Sequence, residues 1–251
     1  MAPNNLCLPI PLTLVVIFLC AVTASGASET EILLKVKASL VNADVSLSNW
    51  NASGSPCKGN ISLWTGVICT DQDTVWGLQL ESMGLSGIVD IDTLADLPNL
   101  RTLSIMNNRF EGPIPDIKKL SALKTLYLSN NSFSGHIPGD AFTDMVWLKK
   151  LYLAHNQFTG EIPWSLTKLP KLMELMLNDN QFQGRIPDFP QKELQLVNVS
   201  NNQLQGPIPV GILSKMNSSM FSGEPTYISS RLSYSLQCMH GDHFVKNTRP
   251  L

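Results

Sequence analysis

The sequence has little charge and no excess of either sign. Charged residues make up 15% of the 251 residues, and 18 Lys and Arg side chains stand against 20 Asp and Glu side chains, for a formal net charge of −2. A protein that binds nucleic acid or an anionic membrane through a broad basic field needs a surplus of Lys and Arg. Both partner classes are therefore disfavoured. The 43% of hydrophobic residues are enough to bury a sizeable core.

Long apolar runs are also missing. The one candidate, residues 12–22, is followed by small residues at 24–27 and is too short to count as a membrane span. Residues 1–27 are therefore predicted to be a secretory signal peptide, although no Lys or Arg precedes the run. A single-pass anchor is the alternative, and the short length of the run disfavours it. The expected location is the secretory pathway, with the rest of the chain extracellular or on the cell surface.

Cysteine is scarce, and its positions acquire meaning in an oxidising compartment. Cys7 and Cys20 lie in the predicted signal peptide, whereas Cys57 and Cys69 are close enough in sequence to close a small loop. A disulfide there is predicted to stabilise the fold by about 3 kcal/mol. Cys238 is left without an evident partner.

Sequons for N-glycosylation agree with a secretory route. The predicted acceptors are Asn51, Asn60, Asn130, Asn198 and Asn217.

Residues 28–74 are predicted to cap one end of an elongated domain. Ser28 and Glu31 form a capping-box pattern at the start of a short amphipathic helix. Apolar residues at helical spacing follow at Ile32, Leu33, Val36 and Leu40. Trp50 and Trp64 are interpreted as apolar filling of the cap, and an exposed aromatic contact is the alternative.

A repeated unit, L-x-x-L-x-L-x-x-N-x-F-x-G-x-I-P, occupies residues 75–216. The units begin 22 to 25 residues apart, at Val75, Leu100, Leu123, Leu148, Leu172 and Leu194. This period is typical of leucine-rich repeats, in which one unit cannot bury its own apolar face and must stack on the next. We therefore predict an α/β solenoid: a short horseshoe of about six plant-type repeats with an N-terminal helical, disulfide-bonded cap.

Three columns of the repeat have structural explanations. An Asn column is predicted to satisfy backbone groups where the chain leaves the sheet: Asn108, Asn131, Asn156, Asn180 and Asn202. A Phe column is predicted to form a spine behind the strands: Phe110, Phe133, Phe158 and Phe182. A Gly column is interpreted as turn positions: Gly112, Gly135, Gly160, Gly184 and Gly206.

The remaining strand positions alternate outward onto the concave side of the solenoid. At the centre of the array these residues are Tyr127, Tyr152 and Met176, beside Lys150, His155, Glu174 and Asp179. Exposed Tyr and Met in a row suit a protein contact, which makes these seven residues the candidate ligand-binding site. The alternative is that they only cover a sheet. His155 beside Asp179 is interpreted as a solvated charge pair rather than a catalytic dyad.

The repeats also carry a resemblance to a known family. The stretch GLQLESMGLSGIVDIDTLADLPNLRTLSIMNN, the C-x11-C cap with Trp64-x-Gly66-Val67, and the G-x-I-P repeat ends resemble the ectodomain of a plant leucine-rich-repeat receptor-like kinase. Within that group the chain is most similar to the pollen receptor-like kinases, from about Glu29 to about Gly223. The resemblance implies a single-pass receptor with a kinase-like domain inside the cell. It also implies that the ligands are small secreted cysteine-rich peptides, that a co-receptor is a further partner, and that the receptor signals in pollen.

After Gly223 the sequence departs from the family, and residues 217–251 are interpreted as a divergent, disordered tail. No G-x-G-x-x-G, H-R-D or D-F-G motif of a kinase occurs, and no G-x-S-x-G or H-E-x-x-H motif of a hydrolase. We therefore expect no enzyme activity, no cofactor and no metal. Two functions remain open: the ligand-binding part of a receptor, or a secreted leucine-rich-repeat inhibitor of a cell-wall hydrolase.

Overall fold

The computed structural model describes residues 27–213, beginning with the cap. Helix α1 (Glu29–Ser39) starts as predicted. The Ser28 side chain accepts a hydrogen bond from the Glu31 N–H, and the Glu31 carboxylate accepts one from the Ser28 N–H. The cap continues through β1 (Leu40–Val41), α2 (Ala43–Ser46), β2 (Cys57–Lys58), β3 (Ile61–Ser62) and β4 (Val67–Cys69).

The interior of the cap is built from two tryptophans and a disulfide. Trp50 and Trp64 are 2% and 4% exposed, and their rings stack with centroids 5.4 Å apart. The Trp50 indole Nε1 donates to the carbonyl of Thr65 at 2.9 Å. Cys57 and Cys69 form the predicted disulfide. The interpretation of the tryptophans as packed filling is confirmed.

The repeats contribute the remaining elements. In chain order these are β5 (Val75–Gln79), β6 (Ser86–Gly87), α3 (Ile91–Ala95), β7 (Thr102–Ser104), β8 (Glu111–Gly112), a 3₁₀ helix (Ile117–Leu120), β9 (Thr125–Tyr127), β10 (Ser132–His136), β11 (Lys150–Tyr152), β12 (Gln157–Glu161), a second 3₁₀ helix (Trp164–Lys168), β13 (Glu174–Met176), β14 (Gln181–Arg185), β15 (Leu196–Asn198), β16 (Gln203–Gln205) and α4 (Val210–Leu213).

The large sheet has seven strands in the order β15-β13-β11-β9-β7-β5-β4. Its repeat strands are parallel and in register, so that Leu126 lies opposite Leu151, and Leu151 opposite Leu175. Strand β4 of the cap pairs antiparallel with β5. The cap and the repeats therefore share one sheet, and the predicted solenoid is confirmed.

A second sheet has five parallel strands in the order β16-β14-β12-β10-β8. In each repeat its strand comes after the strand of the large sheet. The sequence analysis did not predict it. Gly135, Gly160 and Gly184, interpreted as turn residues, lie inside its strands with φ of 81°, 77° and 80°. These positive φ values bend each strand without ending it, as a bulge does.

Between the two sheets lie the predicted spine and the Asn column. The rings of Phe110, Phe133, Phe158 and Phe182 are buried, with successive centroids 6.1, 6.2 and 6.2 Å apart. Asn156 shows how the Asn column works. Its Nδ2 donates to the Leu128 carbonyl at 3.0 Å, and its Oδ1 accepts from the Phe133 N–H at 3.0 Å. Each such Asn joins its own repeat to the preceding one.

Candidate ligand-binding surface

The candidate site lies on the outward side of the large sheet, which we call the concave face. Strand residues there alternate with the buried leucines because successive side chains of a strand point to opposite sides. On strand β7 the residues of this face are buried: Thr102 is 6% and Ser104 0% exposed, and the Ser104 hydroxyl donates to the Glu81 carboxylate. Gln79, opposite Ser104 on β5, is exposed. Beyond Ser104 the strand side chains become partly exposed.

Tyr127 and Tyr152 form the centre of the concave face. They lie opposite each other on β9 and β11, with ring centroids 4.6 Å apart and ring planes tilted by 49°. Both rings are partly exposed. Met176 continues the row on β13, in register with Tyr152. The structure thus brings together the three apolar site residues that the sequence predicted.

Charged residues flank this row and are paired with one another. The Tyr152 hydroxyl donates to Oε2 of Glu174, and Lys150 Nζ lies 2.8 Å from Oε1 of the same carboxylate. The three side chains come from adjacent strands β11 and β13. Glu174 therefore links Tyr152 of the aromatic row to the neighbouring cation Lys150.

The pKa values of this cluster follow from its contacts. Partial burial and the hydrogen bond to Glu174 raise the pKa of Tyr152 well above its usual range. For Glu174, partial burial acts to raise the pKa. The hydrogen bonds from Lys150 and Tyr152, with the charge of Lys150, outweigh it and leave the pKa below the ordinary value. The hydrogen bond to Glu174 raises the pKa of Lys150.

His155 and Asp179 lie at the rim, where each strand of the large sheet has ended. His155 Nε2 is 3.4 Å from Asp179 Oδ2, and the His155 side chain is 54% exposed. This contact agrees with a solvated pair. On the same carboxylate, Oδ1 accepts from the Asn201 amide at 2.6 Å.

The rim residues share a backbone conformation that the sequence analysis did not predict. All have φ between 53° and 58°: Ser82, Asn107, Asn130, His155, Asp179 and Asn201. Such left-handed residues are uncommon outside glycine, and Asn, Asp and His are enriched among them. The Asn, Asp and His residues at this position of the repeat were therefore the sequence signal from which the left-handed conformation could have been predicted. The left-handed turn fixes where each rim side chain leaves the strand.

The predicted glycosylation sites differ in accessibility. Asn51, Asn60 and Asn130 are exposed. Asn198 is only partly exposed on β15, and its Oδ1 accepts hydrogen bonds from the N–H and hydroxyl of Ser200 at 3.1 and 2.9 Å. Asn217 lies outside the described residues, as do Cys238, the whole predicted tail and residues 1–26 of the predicted signal peptide. Glycosylation at the four described sites stays a prediction.

Two further features concern the described residues 27–213. No helix in this range is both long and apolar enough to cross a membrane. No group of three or more His, Cys, Asp and Glu side chains there is arranged to hold a metal ion.

Comparison with known families agrees with this architecture. Residues 27–70 match the leucine-rich-repeat N-terminal domain, and residues 98–158 and 121–182 match the leucine-rich repeat. No kinase-domain family matches the chain.

Known proteins extend the match over most of the chain. Pollen receptor-like kinase 4 of Arabidopsis thaliana is 50% identical over 232 residues, which cover 88% of this chain and 34% of that protein. The crystal structure of a pollen receptor kinase 3 superposes with a TM-score of 0.68 at 38% identity, covering 77% of this chain and 99% of the other. The Arabidopsis receptor kinase HAESA, solved in complex with the peptide hormone IDA and the co-receptor SERK1, gives a TM-score of 0.64 at 31% identity, covering 70% of this chain and 30% of HAESA.

The disulfide-bonded cap and the stack of in-register repeats therefore define a leucine-rich-repeat ectodomain of the plant receptor-kinase class. Within this class the chain belongs to the pollen receptor-like kinase family, as the resemblance in its repeats predicted. It spans about a third of the length of the curated relative described above, and the shared region is the ectodomain.

Proposed function

We propose that this chain is the extracellular recognition module of a pollen-type receptor-like kinase and that its concave face binds a peptide or small protein. One observation carries the proposal. A partly exposed row, Tyr127 and Tyr152 with Met176, lies at the centre of the large sheet; Tyr127 packs on Tyr152, and Tyr152 is hydrogen-bonded to Glu174. Tyr and Met are enriched where proteins bind one another, and fixed side chains lose little entropy on binding.

The chemistry of the face indicates the kind of ligand. Glu174 and Lys150 neutralise each other at 2.8 Å, so the centre offers apolar contact and hydrogen bonding more than net charge. The His155 and Asp179 pair adds polar groups at the rim. An extended peptide lying across the strands would place apolar side chains on the Tyr row and its backbone near the rim.

The relatives support a receptor role. HAESA binds a peptide hormone together with a co-receptor, and we propose the same general arrangement for this chain. By family resemblance the ligand is a small secreted cysteine-rich peptide, and the place of action is the outer surface of the pollen tube. A kinase-like domain in the full-length receptor would transmit the signal.

A binding screen tests the proposal. The full chain, secreted from a plant expression host, is immobilised and exposed to a panel of small cysteine-rich peptides secreted by pollen tubes and pistils. We expect saturable binding of at least one peptide. No binding by any member, combined with slowing of pectin hydrolysis by the same protein, would instead establish the alternative function of a secreted hydrolase inhibitor.

A further inference from the structure

Two buried polar atoms on the concave face have no hydrogen-bond partner within the described residues 27–213. They are Oγ of Ser129 and Oδ1 of Asn178. The two residues are 4% and 8% exposed. A buried polar atom that lacks a partner costs free energy in the isolated chain, so each such atom needs an explanation.

Ser129 and Asn178 belong to one column of the repeat, with Ala154 between them. The Asn130 N–H donates to the Ala154 carbonyl at 3.0 Å, and the His155 N–H donates to the Asn178 carbonyl at 3.0 Å. The three column residues each follow a buried leucine and therefore point to the same side of the sheet as the aromatic row. We call Ser129, Ala154 and Asn178 the floor row, because these short side chains lie between the aromatic row and the rim.

The side-chain amide of Asn178 is fixed in one orientation. Its Nδ2 donates to Asp179 Oδ2 at 2.5 Å, and Asp179 Oδ1 accepts from Asn201 Nδ2 at 2.6 Å. Turning the amide over would place its oxygen against the Asp179 carboxylate, and two acceptors repel each other. Oδ1 of Asn178 therefore faces away from the carboxylate, and no donor reaches it from the part of the chain that the structure describes.

A peptide backbone is the donor that suits this acceptor. Every residue of a peptide except proline carries an N–H that must be paired when it is buried. Asp179 already accepts from Asn178 and Asn201, so the acceptor left over is a neutral oxygen, which suits a neutral N–H. An extended peptide that lies across the strands, with side chains on the aromatic row and its backbone toward the rim, places that backbone over the floor row.

A flexible side chain borders Asn178 on the concave face. Met176 precedes Asn178 by two residues and points to the same side of the sheet. It is partly exposed, and its unbranched side chain has three rotatable bonds and adapts its shape to a partner. A ligand can therefore reach the amide by displacing this side chain, without any movement of the backbone.

We infer that Asn178 determines ligand specificity: its Oδ1 accepts a hydrogen bond from a backbone N–H of the bound peptide, and Ser129 Oγ bonds a second polar group of the same peptide. Both residues lie outside the predicted site, and their assignment rests on the function proposed above. A peptide with proline at this point would leave the buried oxygen unpaired and would bind more weakly.

Affinity measurements on the full chain test this role. The probe is the cysteine-rich peptide that binds the wild type most tightly in the screen. The test variants are Asn178→Ala and Ser129→Ala, since Ala154 shows that the column accepts alanine. The matched control is Ser200→Ala in the same column, whose hydroxyl already donates to Asn198 Oδ1 at 2.9 Å. Probe peptides that each carry one methylated backbone nitrogen complete a double-mutant cycle with Asn178→Ala.

We expect each test variant to bind the probe about tenfold more weakly, as for the loss of one hydrogen bond to a buried group, while Ser200→Ala binds like the wild type. One methylated peptide should bind the wild type more weakly but lose little further affinity for Asn178→Ala. The melting temperature of Asn178→Ala should stay close to that of the wild type, because the lost bond to Asp179 is offset by removal of the unpaired oxygen.

Unchanged affinity in Asn178→Ala would overturn the role of this residue, as would an equal loss in Ser200→Ala. Unchanged affinity in Ser129→Ala would overturn the second contact. Absence of coupling for every methylated peptide would overturn the choice of a backbone donor. If Tyr127→Ala with Tyr152→Ala lost affinity while Asn178→Ala did not, recognition by the concave face would stand and only the role of Asn178 would fail. If no peptide bound the wild type, both would fail.

Discussion

Tyr127 and Tyr152 lie in contact on adjacent strands, with ring centroids 4.6 Å apart, and both remain partly exposed. The aromatic rings behind the sheet behave differently: Phe133 and Phe158 are 6.2 Å apart, nearly parallel and buried. The same solenoid thus holds one aromatic row as core and another as surface. This difference separates residues that build the fold from residues available to a ligand.

Replacing both tyrosines with Ala should change stability much less than removing one buried leucine. A partly exposed aromatic pair contributes about 0.5–1.5 kcal/mol beyond its buried area. Leu126→Ala, at a side chain that is 0% exposed, should cost about 2–5 kcal/mol because it leaves a cavity. Urea unfolding followed by circular dichroism measures both. If the tyrosine variant loses as much stability as the leucine variant, the Tyr rings belong to the core.

Substitutions in the Asn column should lower the free energy of unfolding far more than substitutions of exposed neighbouring residues. Asn156→Leu leaves the Leu128 carbonyl and the Phe133 N–H without their side-chain partner, at a cost of about 1–3 kcal/mol for each buried group. Gln157→Leu, one residue further and exposed, is the matched control and should be nearly neutral. The difference between their unfolding free energies checks the assignment. Equal effects would mean that Asn156 is not bridging repeats.

The pKa of Glu174 predicts a pH-dependent contribution to stability. Since its pKa in the folded chain lies below the ordinary value of 4.5, the unfolded chain binds the proton more readily. Stability from this group is therefore present above pH 4.5 and is lost as pH falls through the folded value. The difference in unfolding free energy between wild type and Glu174→Gln should shrink as pH falls below 4.5.

Glu29 should contribute a pH dependence of stability opposite in sign to that of Glu174, and it serves as a control. Burial raises its pKa above the ordinary value of 4.5, against the hydrogen bond from the Val75 N–H. A raised carboxyl pKa favours the folded chain at low pH, and that contribution is lost as pH rises through the folded value. Relative to Glu29→Gln, the wild type should therefore lose stability as pH rises. Curves of the same sign for both variants would contradict the assignment of either carboxylate.

The cap disulfide should stabilise the whole described domain. Cys57→Ser with Cys69→Ser frees a loop of sequence separation 12, and should cost about 3 kcal/mol if chain entropy dominates. Thermal melting of the variant and of the wild type with and without reductant measures this cost. Wild type in reductant should approach the variant. A variant as stable as oxidised wild type would show that the stacked tryptophans alone maintain the cap.

Much of the fold follows from columns in the repeat. Leu151, Asn156 and Phe158 could be assigned to strand, bend and spine because their roles depend on period and on burial. The second sheet could not be predicted in this way. Gly160 is a turn signal when one repeat is considered alone, yet stacking pairs its backbone with that of the next repeat and makes the segment a strand.

The candidate site was predictable in position but not in chemistry. Repeat alignment placed Lys150, Tyr152 and Glu174 side by side, since neighbours in a column become neighbours in the sheet. That Glu174 accepts from both of the others depends on side-chain conformation, which no pattern encodes. The buried Ser104 donates to Glu81, a residue outside the predicted site.

The most direct test of the central claim compares affinities for whichever cysteine-rich peptide binds most tightly in the screen. The ligand is titrated against the wild type, against Tyr127→Ala with Tyr152→Ala, and against Gln157→Ala with Gln181→Ala, whose side chains are exposed on the second sheet. We predict that the tyrosine variant binds at least about 30-fold more weakly, a loss of 2 kcal/mol or more as expected of interface hot spots, while the glutamine variant binds like the wild type. Unchanged affinity in the folded tyrosine variant, or an equal loss in the glutamine variant, would contradict recognition by the concave face.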